Sequence, residues 1–340
     1  MFRLDQKLER IRSGNYSRSD FIIADAKDGD MGPSITSCGP KREKDGRWTR
    51  YYTRAEFLEN IRAVVEQDIV DIMLTSASNL ETLIKKGVFR DSAIKPAIRA
   101  NDTTDVWVCR GAGYAKQASR AFRTASLSRV ATGSIDPAPG APITGTDLGL
   151  YSITFNNDLE RDLDALEAFA DFRDDAARNN FKYFLEVFNP NVACGIDPEV
   201  LPHYINDCIM RCLAGVMKAD QPRFLKIAYN GPKALEELAS YDTSLIVGVL
   251  GGGAGTTRDC FELLSQAERY GARVALFGRK INLAEDPLAM ISFMRAVTDG
   301  NLQPAEAVKA YHGSLQKAGI TPLRDLAADS EITEKPLKAG

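Results

Sequence analysis

Histidine is scarce in this chain: His203 and His312 are the two histidines among 340 residues. A zinc site built from several histidines is therefore excluded, and with it metal-dependent catalysis of the histidine-rich kind. The six cysteines include no Cys-x-x-Cys pair, and we expect them to be free thiols. The residues leave a carboxylate-held Mg²⁺ open, but we expect no metal site and no cofactor.

Long apolar runs and an excess of one charge are also lacking. Lys and Arg total 43 against 46 Asp and Glu, which gives a net charge of −3 and no general attraction to nucleic acid or to anionic membranes. No run approaches the roughly 18 apolar residues that span a bilayer, and residues 1–7 lack the apolar core of a signal peptide. We expect a cytoplasmic protein whose partner is a small molecule.

Short apolar strands alternate with helices along the chain, beginning after a predicted N-terminal helix over about residues 3–13. The predicted strands cover residues 20–25, 69–75, about 94–99, 148–156, 183–188, 244–250 and 273–277, and a further short strand that runs into a loop is predicted within 223–231. Eight such units predict a (β/α)₈ TIM barrel in a single domain, 1–340, with its core at about 18–300. Irregular insertions follow strands 1 and 3 (about 30–53 and 101–147), and residues 301–340 form a C-terminal extension. Such barrels commonly associate, so we expect a homo-oligomer.

Lys226 lies in the middle of an apolar strand. Phe224, Leu225, Ile227 and Ala228 surround it, so the strand is predicted to be covered on both faces and the lysine to lie inside the protein. Burial favours the neutral form of an amine, which can attack a carbonyl. The alternative is a lysine near a strand end that reaches solvent or a carboxylate.

Carboxylates follow the first strand. Asp25 ends it, and the loop after it contains Lys27, Asp28 and Gly29. Because the active sites of TIM barrels lie at the carboxyl ends of the strands, Asp25 or Asp28 is predicted to be functional. A solvated turn is the alternative.

Glycines follow the seventh and eighth strands, where barrels of this kind bind phosphate. Gly251, Gly252 and Gly253 precede a helix, and Gly278 and Arg279 follow the eighth strand. Glycine lets main-chain N–H groups approach an anion, the helix N-terminus adds a favourable partial charge, and Arg279 can add a charge-assisted contact. The sequence therefore predicts a phosphate site here, with a simple tight loop as the alternative.

Three segments together carry a family resemblance: Lys226-Ile-Ala-Tyr-Asn-Gly231, Gly251-Gly-Gly253 and Leu276-Phe-Gly-Arg-Lys-Ile281. They resemble the class I aldolases of the archaeal-type fructose-bisphosphate aldolase family, within the DeoC/LacD superfamily, over about residues 148–298. The resemblance implies a carbon–carbon lyase acting on a phosphorylated keto sugar. It also implies roles for individual residues: Lys226 as the Schiff-base lysine, Tyr229 as the tyrosine after it, Asp25 as the carboxylate of the first strand, and Gly252, Gly253, Gly278 and Arg279 as the phosphate site.

Two departures from that family concern proton transfer. The usual Asp-His-Gly is replaced by Asp25-Ala-Lys-Asp-Gly29, and Phe188 stands where the family commonly has a tyrosine general acid. A phenyl ring cannot donate a proton, so Glu186, Tyr229 or Lys27 would have to substitute, or the reaction differs.

Glu186 is the first candidate for that missing role. Strict alternation puts it on one strand face with Phe184, and if that face points into the barrel the carboxylate lies near Lys226. A structural ion pair is the alternative. Two other functions stay open: a phosphosugar isomerase or epimerase that uses Asp25 and Glu186 without a Schiff base, and a non-catalytic sugar-phosphate-binding protein.

Overall fold

Eight parallel strands form a closed barrel in the computed structural model, which describes residues 1–253 and 255–340. The strands are β1 (Ile22–Lys27), β2 (Ile72–Thr75), β3 (Lys95–Arg99), β4 (Leu148–Thr154), β5 (Lys182–Phe188), β6 (Leu225–Ile227), β7 (Gly248–Leu250) and β8 (Val274–Phe277). The barrel closes where β1 pairs with both β8 and β2. The predicted (β/α)₈ fold is confirmed.

Helices surround the barrel and also close one end of it. They are α1 (Arg3–Arg12), α2 (Arg54–Gln67), α3 (Ala77–Lys85), α4 (Leu127–Thr132), α5 (Leu159–Arg178), α6 (Leu201–Leu213), α7 (Pro232–Tyr241), α8 (Thr257–Arg269), α9 (Arg279–Asn282), α10 (Pro287–Thr298), α11 (Pro304–Ala318) and α12 (Leu326–Asp329). Leu4 and Leu8 of α1 pack into the interior cluster of the barrel. No helix in the described part of the chain has the length and apolar character needed to cross a membrane.

Strand alternation divides the core into two layers. Ile22 and Ala24 of β1 belong to a cluster inside the barrel, whereas Ile23 belongs to the cluster between strands and helices. Inside, the rings of Phe184 and Phe224 stack with centroids 4.7 Å apart. Because successive side chains point to opposite faces, the inward positions further along each strand lead to the carboxyl-terminal end of the barrel.

The two predicted insertions are confirmed, and each contains a short antiparallel pair of strands. After β1, Pro40–Arg42 pairs with Trp48–Tyr51; after β3, Asp102–Thr103 pairs with Ala121–Phe122. Both insertions contribute side chains to the cavity at the carboxyl-terminal end of the barrel.

Candidate active site

Lys226 and Glu186 lie side by side inside the barrel. The register of β5 and β6 pairs these two residues directly, and that of β4 and β5 pairs Ser152 with Glu186. Lys226 Nζ lies 2.5 Å from Glu186 Oε1, and the two side chains are 8% and 1% exposed. Glu186 therefore faces inward, next to the lysine, which meets the condition on which its predicted role depended.

Arg99 and Asp28 extend this pair into a chain of alternating charges. Arg99 Nε donates to Asp28 Oδ2 at 2.6 Å, and its Nη2 lies 3.6 Å from Glu186 Oε2. Ser152 Oγ donates to the same oxygen of Glu186 at 2.7 Å and accepts from Arg99 Nη1 at 3.2 Å. We call Asp28, Arg99, Glu186 and Lys226 the charged quartet.

Two members of the charged quartet hold fixed charges at neutral pH. Burial alone would raise the pKa of Asp28, but the charges of Arg99 and Lys226 outweigh it and hold this pKa below its usual value. Burial opposes the charge of Arg99, yet Asp28 and Glu186 keep the pKa of the guanidinium above its usual value. Proton transfer therefore falls to other groups in the cavity.

The charged quartet lines a cavity of about 610 Å³ at the carboxyl-terminal end of the barrel. Ser37 from the insertion after β1 and Val106 from the insertion after β3 form part of its wall. A concave site with a few convergent polar groups, at this end of a TIM barrel, is where ligands of the fold bind.

Most of the predicted phosphate-binding residues line the same cavity. Gly251, Gly252, Gly278 and Arg279 are part of its wall, whereas Gly253 lines a neighbouring pocket. A Cβ on Gly251 would lie 2.4 Å from the ring of Phe277, and one on Gly278 would lie 2.8 Å from the carbonyl oxygen of Ala26. Glycine is therefore required at both positions by close packing.

Aspartate side chains of the protein cap the N-terminus of α8. The Thr257 N–H donates to Asp329 Oδ1 at 2.8 Å, and the Thr256 N–H donates to Asp259 Oδ2 at 3.0 Å. Asp329 also contacts His312 Nε2 at 2.9 Å. The sequence predicted that this helix end would face a phosphate, and a carboxylate from the C-terminal extension occupies it instead.

Asp25 and Lys27 lie on the outer face of β1, since Ala24 and Ala26 pack on the inner one. Asp25 is fully buried and does not line the cavity, whereas Asp28 does. Burial raises the pKa of Asp25, and Lys27, with its Nζ 3.1 Å from Asp25 Oδ1, partly offsets this rise. The structure thus brings Asp28, and not Asp25, to Lys226.

Tyr229 also lies outside the cavity. Its hydroxyl donates to Gln266 Oε1 at 2.6 Å, toward α8 and away from Lys226. Phe188 does line the cavity, at the end of β5. Of the three candidates for the missing proton donor, Glu186 and Lys27 therefore reach the cavity and Tyr229 does not.

Two site residues, Arg99 and Ser152, were not predicted from the sequence. Arg99 ends the third predicted strand, and an arginine in a buried strand is rarely unpaired, which was the available signal. Ser152 had no signal of its own beyond its position among apolar residues. In residues 1–253 and 255–340, no group of three or more His, Cys, Asp or Glu side chains is arranged to hold a metal ion.

The fold and the cavity define a TIM barrel with a buried lysine beside a carboxylate at its carboxyl-terminal end. No family model and no curated protein matches this chain. Solved structures similar to it do exist, and they include archaeal-type, Schiff-base-forming fructose-bisphosphate aldolases.

One similar structure is an archaeal fructose 1,6-bisphosphate aldolase, 15% identical, with a TM-score of 0.61 over 87% of this chain and 99% of that one. Another archaeal structure, with its catalytic Lys covalently bound to the carbinolamine intermediate, is 15% identical with a TM-score of 0.61 over 87% and 100% of the two chains. The fructose-bisphosphate aldolase from Slackia heliotrinireducens is 11% identical, with a TM-score of 0.64 over 92% of this chain and 90% of that one. The resemblance to this family is confirmed at the level of the fold.

Proposed function

We propose that the protein is a class I aldolase-type lyase in which Lys226 forms a Schiff base with a phosphorylated keto sugar. The observation that carries the proposal is the position of the Lys226 amine, nearly buried, on the cavity wall and 2.5 Å from Glu186. A lysine placed in this way can attack a ketone once it has lost a proton. Similar structures are described as Schiff-base-forming aldolases, and this supports the same chemistry here.

Glu186 supplies the proton transfers in this proposal. It accepts a proton from the Lys226 ammonium, and the neutral amine adds to the ketone to give a carbinolamine. Returning the proton to the carbinolamine hydroxyl releases water and leaves an iminium. The iminium takes up the electron pair of the breaking carbon–carbon bond, while a base accepts the proton of the substrate hydroxyl and an aldehyde leaves. Protonation of the enamine and hydrolysis then free the second product and Lys226.

Arg99 acts as a positioning residue in this scheme. Its guanidinium contacts both Asp28 and Glu186, so it fixes the carboxylate of Glu186 against the lysine. A proton acceptor held at a fixed distance loses little conformational freedom during the reaction.

The phosphate of the substrate is proposed to bind at Gly251, Gly252, Gly278 and Arg279. The Arg279 guanidinium already donates to the Gly252 carbonyl at 2.8 Å, which holds it over the glycines. Binding energy from the phosphate, remote from the reacting carbon, would orient the ketone toward Lys226. Gly253, Asp25 and Tyr229 have no part in this scheme, because they do not line the cavity.

Borohydride reduction in the presence of candidate ketose phosphates tests the proposal. We expect mass spectrometry to find the reduced sugar adduct on Lys226, and no adduct in the variant Lys226→Met. Lys7→Met is the matched control, because Lys7 is buried at the other end of the barrel, and it should still trap at Lys226.

Three outcomes contradict the proposal. An adduct on another lysine refutes the assignment of Lys226. Turnover of a sugar phosphate that resists borohydride favours the isomerase or epimerase. Binding with neither adduct nor turnover favours a sugar-phosphate-binding protein.

A further inference from the structure

The cavity contains four cationic and three anionic side chains, and most of these charges are already paired. The cations are Lys27, Arg99, Lys226 and Arg279, and the anions are Asp28, Asp105 and Glu186. The charged quartet pairs two cations with two anions, and the Nζ of Lys27 is paired with Asp25, a buried residue outside the cavity lining. Two lining residues, Arg279 and Asp105, are left outside these pairs.

Arg279 is the cation of the cavity that no carboxylate in the described part of the chain neutralises. Its guanidinium donates to the main-chain carbonyl of Gly252, and it lies next to Gly278 at the end of β8. An anionic group bound over these glycines would meet a full positive charge there. The β8 side of the cavity therefore suits one phosphate.

Asp105 provides the opposite charge on the opposite side. Its Oδ1 accepts from Ser119 Oγ at 2.8 Å and its Oδ2 accepts from Thr154 Oγ1 at 2.9 Å. Both donors are neutral, and no ion pair joins Asp105 to a cation of the described residues. Thr154 ends β4, which is the fourth strand from β8 in either direction around the barrel. The cavity is thus positive near β8 and negative near β4.

From this polarity we infer that the ligand is a monophosphorylated ketose whose unphosphorylated end carries hydroxyl groups directed at Asp105. This inference rests on the proposed function and names its substrate class. A phosphate dianion near β4 would lie against an uncompensated carboxylate, whereas a hydroxyl group can donate to it. The similar structures described above are named as fructose 1,6-bisphosphate aldolases, so this charge arrangement predicts a different preference for this chain.

Calorimetric binding to the Lys226→Met variant tests the inference without Schiff-base formation. The probes are fructose 1-phosphate, fructose 6-phosphate and fructose 1,6-bisphosphate at one fixed ionic strength, because they differ only in phosphorylation. We expect the better monophosphate to bind at least about tenfold more tightly than the bisphosphate, in line with the cost of an unpaired like-charge contact. The inference is overturned if the bisphosphate binds equally well or better, or if neither monophosphate binds.

A charge variant makes the test specific to Asp105. Asp105→Asn keeps the size of the side chain and removes its charge, so the preference for the monophosphate should shrink by about threefold or more. Asp136→Asn makes the same charge change in an exposed loop and should leave the preference unchanged. A thermal melt checks that each variant is folded. An unaltered preference in folded Asp105→Asn removes Asp105 from the proposal.

The trapping and binding experiments distinguish failure of the proposed Schiff-base function from failure of the monophosphate inference. If the bisphosphate binds more tightly and is trapped on Lys226 of the unmodified protein, the Schiff-base function stands and the monophosphate inference falls. If no sugar is trapped while the monophosphate still binds best, the lyase function falls and the charge assignment stands.

Discussion

Buried, paired charges occur at both ends of the barrel, and the two groups differ in whether they adjoin an open cavity. At the amino-terminal end, Asp71 precedes β2 and is fully buried. Its carboxylate accepts from Lys7, Arg3 and Arg295 at 3.0 Å each, and from the main-chain N–H of Ile23 at 2.9 Å. These contacts join α1, β1, β2 and α10, so this group of charges is part of the scaffold.

The charged quartet at the other end opens onto the cavity. The contrast teaches that burial of a lysine is not in itself evidence of catalysis. Burial lowers the pKa of Lys7 to about 8, although Asp71 partly offsets this effect, and Lys7 nevertheless lies far from the cavity in a saturated ion cluster. What sets Lys226 apart is an adjoining space large enough for a substrate, at the end of the barrel where the fold places chemistry.

Removing the lysine from each end should separate the two roles most clearly. Lys226→Met is expected to lower turnover by about three orders of magnitude or more, because the nucleophile is lost. Lys7→Met should lower stability and leave turnover per folded molecule near normal. Steady-state kinetics and thermal unfolding of both variants provide the check. Retention of more than about a tenth of turnover by Lys226→Met would remove the distinction.

Asp71→Asn should break the scaffold cluster. It leaves Lys7, Arg3 and Arg295 without their shared carboxylate, and loss of one partner from a buried ion pair costs about 3–5 kcal/mol of unfolding free energy. Denaturant unfolding measures this loss, with exposed Asp91→Asn as the control. Turnover of the folded fraction should not change, and a selective loss of turnover would mean that the two ends are coupled.

Glu186→Gln should break the charged quartet chemically while nearly preserving its shape. Turnover is expected to fall by about two orders of magnitude or more, as is typical when a general acid–base group is lost. If turnover stays near normal and only thermal stability falls, Glu186 belongs to the scaffold, and the proton donor must be Lys27 or a water molecule.

Asp102 offers the smallest and most pH-dependent effect. Burial raises its pKa to about 6, and Arg99, with Nε 4.0 Å away, only partly offsets this rise. The folded state therefore holds this proton more tightly than the unfolded state, so the contribution of Asp102 to stability falls as pH rises from about 4 to about 6. Between pH 4 and pH 7, the unfolding free energy of Asp102→Asn should rise by about 1–2 kcal/mol relative to that of the original chain. Denaturant unfolding at both pH values checks this, and an equal effect at each would contradict it.

The strands, the insertions between them and the shared strand face of Phe184 and Glu186 were predictable, because each depends on local periodicity or its absence. The position of Asp25 outside the cavity could not be predicted: β1 continues to Lys27, and the sequence does not reveal which alternate set of residues faces inward. A change of one residue in that phase moves every side chain to the other face. Asp28 was recognised only as an alternative for this reason.

Other features of the site depend on contacts that no local pattern records. Arg99 reaches Asp28 across 71 positions of sequence, and the Tyr229 hydroxyl is drawn to Gln266 on α8. Such pairings arise from the arrangement of strands and helices around the barrel. The sequence could therefore predict which residue types lie near the strand ends, but not which of them meet.

The Asp329 cap on α8 bears on the order in which the molecule is completed during synthesis. Synthesis proceeds from the amino terminus, and Asp329 follows Thr257, the first residue of α8, by 72 positions. Strand β8 can pair with β1 earlier, closing the barrel while the first turn of α8 still has a free N–H at Thr257. The N-terminal cap of α8 is therefore completed only after the C-terminal extension has been synthesised.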